Sequence, residues 1–205
     1  TKTMSKIGSI QAYEEDCRKR IANPEAFWAE IAEGFKWRKK CSKVLEWDFN
    51  KPEVKWFLGA KLNITETCLD RHLPSRANDT AIIWEPNNPN DPAQHITYQQ
   101  LFDEVCRTAN MLKANGVKKG DRVCIYLPMI PQLAYTILAC ARIGAVHSVV
   151  FAGFSARSLV DRITDAGSKI VVSADGGFRG DKTINLKGII DEALTKCPEV
   201  QRVIV

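Results

Sequence analysis

The sequence is poor in the short motifs that assign a protein on sight. It contains no Cys-x-x-Cys and no His-x-x-x-His pair, so neither a zinc ribbon nor a thioredoxin-type redox motif is available. It has no Gly-x-x-x-x-Gly-Lys-Ser/Thr loop and no Gly-x-Ser-x-Gly elbow, which removes a Walker-type site and the α/β-hydrolase nucleophile. Its longest apolar stretch, Leu133–Ala141, is far too short to cross a bilayer, and Thr1–Ile10 lacks the apolar core of a signal peptide. Proline (9) and glycine (12) are too sparse in 205 residues for a fibrous or low-complexity chain. Charge of one sign is in small excess: 29 Lys and Arg against 24 Asp and Glu leave +5. The charges are scattered, so they suit an anionic ligand, and no basic stripe or nucleic-acid motif accompanies them.

What is present is ordinary globular material, 45% hydrophobic and 26% charged. The seven cysteines, Cys17, Cys41, Cys68, Cys106, Cys124, Cys140 and Cys197, are odd in number and widely spaced. Several fall in apolar periodic segments, where a free thiol behaves as a small hydrophobe. They imply a reducing compartment, with the cytoplasm as the default location.

Residues 1–75 form an N-terminal extension, irregular and partly helical, with a helix over Glu25–Glu33 stopped by Gly34. Its aromatic residues, from Phe27 to Phe57, are expected to pack on the following domain. Residues 76–205 alternate strand and helix. Thr80–Trp84 is a strand, Glu85–His95 a Pro- and Asn-rich surface loop, and Thr97 opens a helix through a capping box with Gln100. Strands follow at Arg122–Leu127, Val146–Phe151, Lys169–Ser173 and Arg202–Val205. Helices lie between them at Gln132–Ile143, from Ser155 to Ala166, and at Leu186–Lys196. This order predicts right-handed βαβ units and a mostly parallel, doubly wound α/β sheet. The core looks unfinished at Val205, and the chain starts at Thr, so it is expected to be a piece of a longer polypeptide.

In such a sheet, ligands bind beyond the carboxyl ends of the strands. That singles out the loop Ala174–Lys182, whose Gly176, Gly177 and Gly180 let backbone approach a ligand closely. Arg179 offers a planar fork and Lys182 a point charge, a pairing suited to phosphate or to plain solvation. The loop Phe151-Ala152-Gly153-Phe154 runs into a helix N-terminus, where free N–H groups favour anions, although Ser155 equally serves as a simple N-cap. His147 falls on a strand expected to be buried, as a core histidine. Asp161, Asp165 and Asp175 read as helix-face and loop carboxylates, not as an acid–base pair.

Several stretches together resemble the AMP-forming acetyl-coenzyme A synthetases of the adenylate-forming superfamily. They are Leu69–His72, Ala81–Glu85, Lys118–Asp121, Ile125–Met129, and above all Ala139–Ser148 with Phe151–Ser155. The resemblance runs from about Tyr13 to Val205. It implies the first part of the large α/β domain of such an enzyme, whose small C-terminal domain is mobile. It implies Mg-ATP, acetate and CoA as substrates, with no prosthetic group, and the remainder of the same chain as the principal partner. In the family, the loop matching Arg179, Gly180, Asp181 and Lys182 contacts the 3′-phosphate and adenine end of CoA. The segment matching Phe151, Ala152 and Gly153 also lines the CoA site. The second basic position, often Arg, is Lys182 here, so a charge contact replaces a bidentate one. The family's phosphate loop, acyl pocket and catalytic lysine have no match in these 205 residues. No catalytic or metal-binding residue is therefore assigned, and the chain by itself is expected to be inactive. A propionyl- or other short-chain acyl-CoA synthetase, and a stand-alone CoA- or nucleotide-binding module, remain open alternatives.

Overall fold

The computed structural model describes residues 7–205; part of the signal-peptide reading, residues 1–6, lies outside the described residues. The chain divides into two compact units between Thr67 and Cys68.

The first unit opens with two helices, α1 (Ile10–Ala22) and α2 (Pro24–Ala32). Asn23 joins them. Its backbone N–H closes α1 onto Lys19, and its side chain caps α2 by accepting from Ala26 N at 3.0 Å. Helix α1 buries no residue, and without an apolar stripe its periodicity is invisible in the sequence. Two small antiparallel pairs follow, where the sequence suggested irregular chain. Strand β1 (Trp37–Lys39) pairs with β4 (Lys61–Leu62), and β2 (Lys43–Asp48) pairs with β3 (Glu53–Leu58). The aromatic residues stack on one another: Trp28 meets Phe27 at 5.3 Å and Trp56 at 5.9 Å, and Trp37 meets Phe57 at 5.5 Å between ring centroids. The two Trp28 pairs are edge-to-face and the Trp37–Phe57 pair is tilted; edge-to-face pairs add about 0.5–1.5 kcal/mol each beyond burial. A short helix, α3 (Ile64–Cys68), leads out of the unit.

In the second unit a short helix, α4 (Leu73–Arg76), precedes the hairpin of β5 (Thr80–Trp84) and β6 (Gln94–Thr97). Gln94 and His95 therefore belong to a strand and not to the loop. Helix α5 (Tyr98–Ala114) starts with the expected reciprocal cap: Gln100 N donates to Thr97 Oγ1 at 3.2 Å, and Thr97 N to Gln100 Oε1 at 2.9 Å. The alternation then runs β7 (Arg122–Tyr126), α6 (Pro131–Ile143), β8 (Val146–Val149), α7 (Ala156–Ala166) and β9 (Ile170–Ser173). A small hairpin, β10 (Gly177–Arg179) and β11 (Lys182–Ile184), leads to α8 (Leu186–Leu194) and β12 (Arg202–Ile204).

Four strands form a parallel sheet in the order β12-β9-β7-β8. Its period-2 alternation feeds two cores. Val123, Ile125, Ile170 and Val172 pack with α5 and α6 through Val105, Leu112, Tyr135 and Ala139. Cys124, Tyr126 and Val171 pack with α7 and α8 through Leu159, Ile163 and Ile190. Both faces of β7 and β9 are thus apolar, which is why those strands read as unbroken hydrophobic runs. Burial pushes the Cys124 thiol up to about 12 and the Cys140 thiol to about 11, so both serve as core hydrophobes.

Strand β8 departs from expectation. It ends at Val149 and pairs on one side only among the described residues, leaving Val146, His147 and Val149 exposed. His147 is therefore a surface residue here and not a core histidine.

Leu159 is fully buried in the α7–α8 layer. Leu159→Ala is expected to lower the unfolding free energy by about 2–5 kcal/mol in urea titrations. Arg157→Ala, on the exposed face of the same helix, should stay within about 0.5 kcal/mol.

Candidate functional site

Because β7, β8 and β9 run parallel, the segments after Tyr126, Val149 and Ser173 emerge at one end of the sheet. Two of these segments carry the residues that the family resemblance marks as CoA contacts, 151–153 and 179–182. The end is knitted from within: buried Ser173 donates from Oγ to the carbonyl of Tyr126 at 2.8 Å.

The segment after β9 is more ordered than a loop. Asp175 turns it, its Oδ1 accepting from Gly176 N at 2.7 Å and its carbonyl from Lys187 N at 3.0 Å. Gly177 lies against Pro128 of the segment after β7; a Cβ there would sit 3.1 Å from the proline ring. The chain then forms the β10–β11 hairpin, in which Arg179 is directly opposite Lys182 and Gly180-Asp181 make the two-residue turn. Of the two turn residues only Gly180 has positive φ (+58°), the sign pattern of a II′ turn with glycine first. A Gly-x pair between short β-prone stretches is the sequence signal that would have revealed this hairpin.

The hairpin places two cations side by side. Like charges at directly opposed positions destabilise a strand pair, and neither Arg179 nor Lys182 makes an ion pair among the described residues. Both are exposed, as are Phe178 and Asp181. The pair is thus an open tip of two cations with no ion-pair partner among the described residues, and the Asp181 carboxylate of the turn offsets part of their charge.

The segment after β8 is fixed differently. Ala152 is buried in the α7–α8 core, while Phe151 and Gly153 are exposed. Tyr126, fully buried at the end of β7, donates its hydroxyl to the Phe154 carbonyl at 2.7 Å and lies 3.4 Å from the Ala152 carbonyl. Burial raises the Tyr126 phenol above its ordinary value, in keeping with its role as a hydroxyl donor. The Phe154 ring lies between Phe151, at 5.8 Å edge-on, and the Arg162 guanidinium, at 5.3 Å. A Cβ on Gly153 would come within 2.4 Å of the exposed Phe151 ring, which would have to swing aside to admit it. Ser155 caps α7 by accepting from Ser158 N at 3.4 Å. Sequence reasoning marks residues 151–153 but misses Tyr126, whose role depends on a contact 28 residues away.

The opposite end of the sheet offers less. A cavity of about 240 Å³ there is lined by Asp121, Arg122, Lys169 and Arg202 among others. The Arg122 guanidinium is already spent on the Ala166 and Gly167 carbonyls, at 2.9 and 3.2 Å, closing the C-terminus of α7. No cluster of three or more His, Cys, Asp or Glu able to hold a metal ion occurs among the described residues. No helix among them is long and apolar enough to cross a membrane.

Residues 69–205 match the family model of the AMP-binding enzymes, and residues 13–68 match that of the acetyl-coenzyme A synthetase N-terminus. The chain belongs to the AMP-binding enzyme family, and its first unit is the N-terminal segment typical of the acetyl-coenzyme A synthetases within it. An acetyl-coenzyme A synthetase of Saccharophagus degradans is 55% identical over 95% of this chain, and one of Bdellovibrio bacteriovorus is 55% identical over 94%. The chain spans 30% of the length of each of these relatives. Among solved structures, acetoacetyl-CoA synthetase from Streptomyces lividans superposes with a TM-score of 0.84 at 29% identity, covering 96% of this chain and 30% of that one. The doubly wound fold is thus that of an adenylate-forming synthetase.

Tyr126→Phe removes the hydroxyl donor and leaves the Phe154 carbonyl unsatisfied. It is expected to cost about 1–2 kcal/mol in denaturant unfolding. Amide exchange at Phe154, whose N–H donates to the Phe151 carbonyl at 3.0 Å, should quicken more than exchange in β9.

Proposed function

We propose that this chain is the CoA-side portion of an AMP-forming acetate–CoA ligase. In the intact enzyme the acetate carboxylate attacks the α-phosphorus of Mg-ATP and expels pyrophosphate. The CoA thiol then attacks the carbonyl carbon of acetyl-adenylate, giving acetyl-CoA and AMP. Arg179 and Lys182 are the contacts to the 3′-phosphate of CoA, with Gly180 and Asp181 forming the turn between them. Phe151, Ala152 and Gly153 line the same site. The observation that carries this reading is the exposed Arg179–Lys182 pair, free of ion pairs among the described residues, at the carboxyl end of a parallel sheet. An anion relieves their mutual repulsion and gains a charge-assisted hydrogen bond from the arginine. All of the adenylation chemistry is assigned to the remainder of the polypeptide.

A second reading, a ligase for another short acyl chain, is favoured by the likeness to an acetoacetyl-CoA synthetase. ATP–pyrophosphate exchange on the gene product, carried to its natural stop codon, separates the two when acetate, propionate and acetoacetate are compared. Exchange with acetate above the others supports the first reading, and a preference for another acid supports the second. The 205-residue chain alone should give no exchange with any of them.

Arg179→Ala in the intact enzyme is expected to weaken CoA about 10- to 100-fold, the equivalent of about 1.5–3 kcal/mol for a charge-assisted contact. The loss should shrink for 3′-dephospho-CoA. An equal loss for both ligands would refute the 3′-phosphate contact.

A further inference from the structure

The β10–β11 hairpin has three residues in each strand and pairs with no third strand among the described residues. A two-stranded hairpin of this size is marginal on its own. Its turn residues also point their backbone groups away from the ladder, so Gly180 has an N–H and a C=O that the hairpin itself leaves unpaired. Both are taken up by one side chain from a distant part of the sequence. Asn87 Nδ2 donates to the Gly180 carbonyl at 2.9 Å, and Gly180 N donates to Asn87 Oδ1 at 3.1 Å. A primary carboxamide is the side chain that offers one donor and one acceptor in this side-by-side arrangement.

Asn87 is itself held in place. It lies in the connection between β5 and β6, whose ends are in register at Trp84 and Gln94. The Trp84 indole N–H donates to the Met129 carbonyl at 2.7 Å, tying the start of this connection to the segment after β7. Just past Asn87, the Asn88 carbonyl accepts from Asp91 N at 3.1 Å and its Oδ1 from Asn90 N at 3.1 Å, closing a turn. The tips of two separate hairpins are therefore joined by one reciprocal contact, and the joined residue stands between Arg179 and Lys182.

We infer that Asn87 is a positioning residue for the CoA loop: by clamping the Gly180 peptide it holds the Arg179–Lys182 pair in the geometry that receives the phosphate. The inference rests on the CoA reading of those two cations. Without the clamp the tip samples other conformations, and apparent affinity falls by the fraction that remains competent.

The test uses the intact gene product, with the KM for CoA as the main readout and ATP–pyrophosphate exchange, which needs no CoA, as the control for folding. Asn87→Ala is expected to raise the KM for CoA about 5- to 20-fold with exchange retained. Asn87→Asp keeps an acceptor for Gly180 N but loses the donor and adds a negative charge beside the two cations, and should raise the KM for CoA at least as much as Asn87→Ala. In a background with both Arg179→Ala and Lys182→Ala, Asn87→Ala should add little, because the contacts it positions are gone. Additive effects in that cycle would overturn the inference. So would an unchanged KM in Asn87→Ala while Arg179→Ala raises it, and the CoA reading would then stand without the clamp. If Arg179→Ala leaves the KM unchanged, the CoA reading fails and the inference with it. Loss of exchange in step with CoA affinity in both Asn87 variants would mark a fold defect and also overturn the inference.

Discussion

Strand β7 has a parallel neighbour on each edge and a helical layer on each face, and most of the second unit follows from that confinement. Four of its five residues are buried. Val123 and Ile125 face one core, and Cys124 and Tyr126 the other. A strand so enclosed has polar business only where it stops. There, Tyr126 turns its hydroxyl toward one neighbouring segment and its carbonyl toward Ser173 of the next strand. The packing demand of β7 and the placement of the candidate site are thus one constraint: the burial that makes the sheet also fixes the segments at its carboxyl end.

The two segments at that end are stabilised by different physics. Residues 151–154 are anchored from below, through a buried alanine and a buried phenol, so their backbone inherits the rigidity of the core. The β10–β11 hairpin projects outward and contributes almost nothing to either core beyond Ile184. Its geometry depends on its turn, on the glycine that lets Pro128 approach, and on hydrogen bonds at its tip. Its exposure also keeps the cost of the Arg179–Lys182 juxtaposition small, because water and salt screen exposed charges. A buried pair of like charges would expel one proton or refold the turn; an exposed pair persists and waits for a counter-charge.

Much of this was legible in the sequence where local signals and global packing agree. The α5 cap, the glycine stops after α6 and α7, and the alternating strands were all readable, because each element announces itself within a dozen residues. Helix α1 was not, since it buries no residue and has no stripe to show. Strand composition does not say whether a neighbour lies on one side or two, so it gives no sign that His147 is exposed. The hairpin at 177–184 looks in sequence like a glycine-rich loop, although its cations stand out. The Tyr126 and Asn87 contacts were invisible for a different reason. They span 28 and 93 residues of sequence respectively, and no periodicity links a tyrosine or an asparagine to the peptide it will hold.

The chemistry of the tether also explains why it is an asparagine. An exposed two-cation tip could be held by an aspartate or glutamate, which would bond the Gly180 N–H more strongly than an amide does. That carboxylate would join Asp181 beside Arg179 and Lys182 and offset more of the charge they present, competing with any anionic ligand for the same field. A cationic tether would deepen the repulsion and could not accept from the Gly180 N–H. The carboxamide satisfies both backbone groups while adding no charge. Conformation and charge at the tip are thereby set by different residues, so the hairpin can be held still without being neutralised.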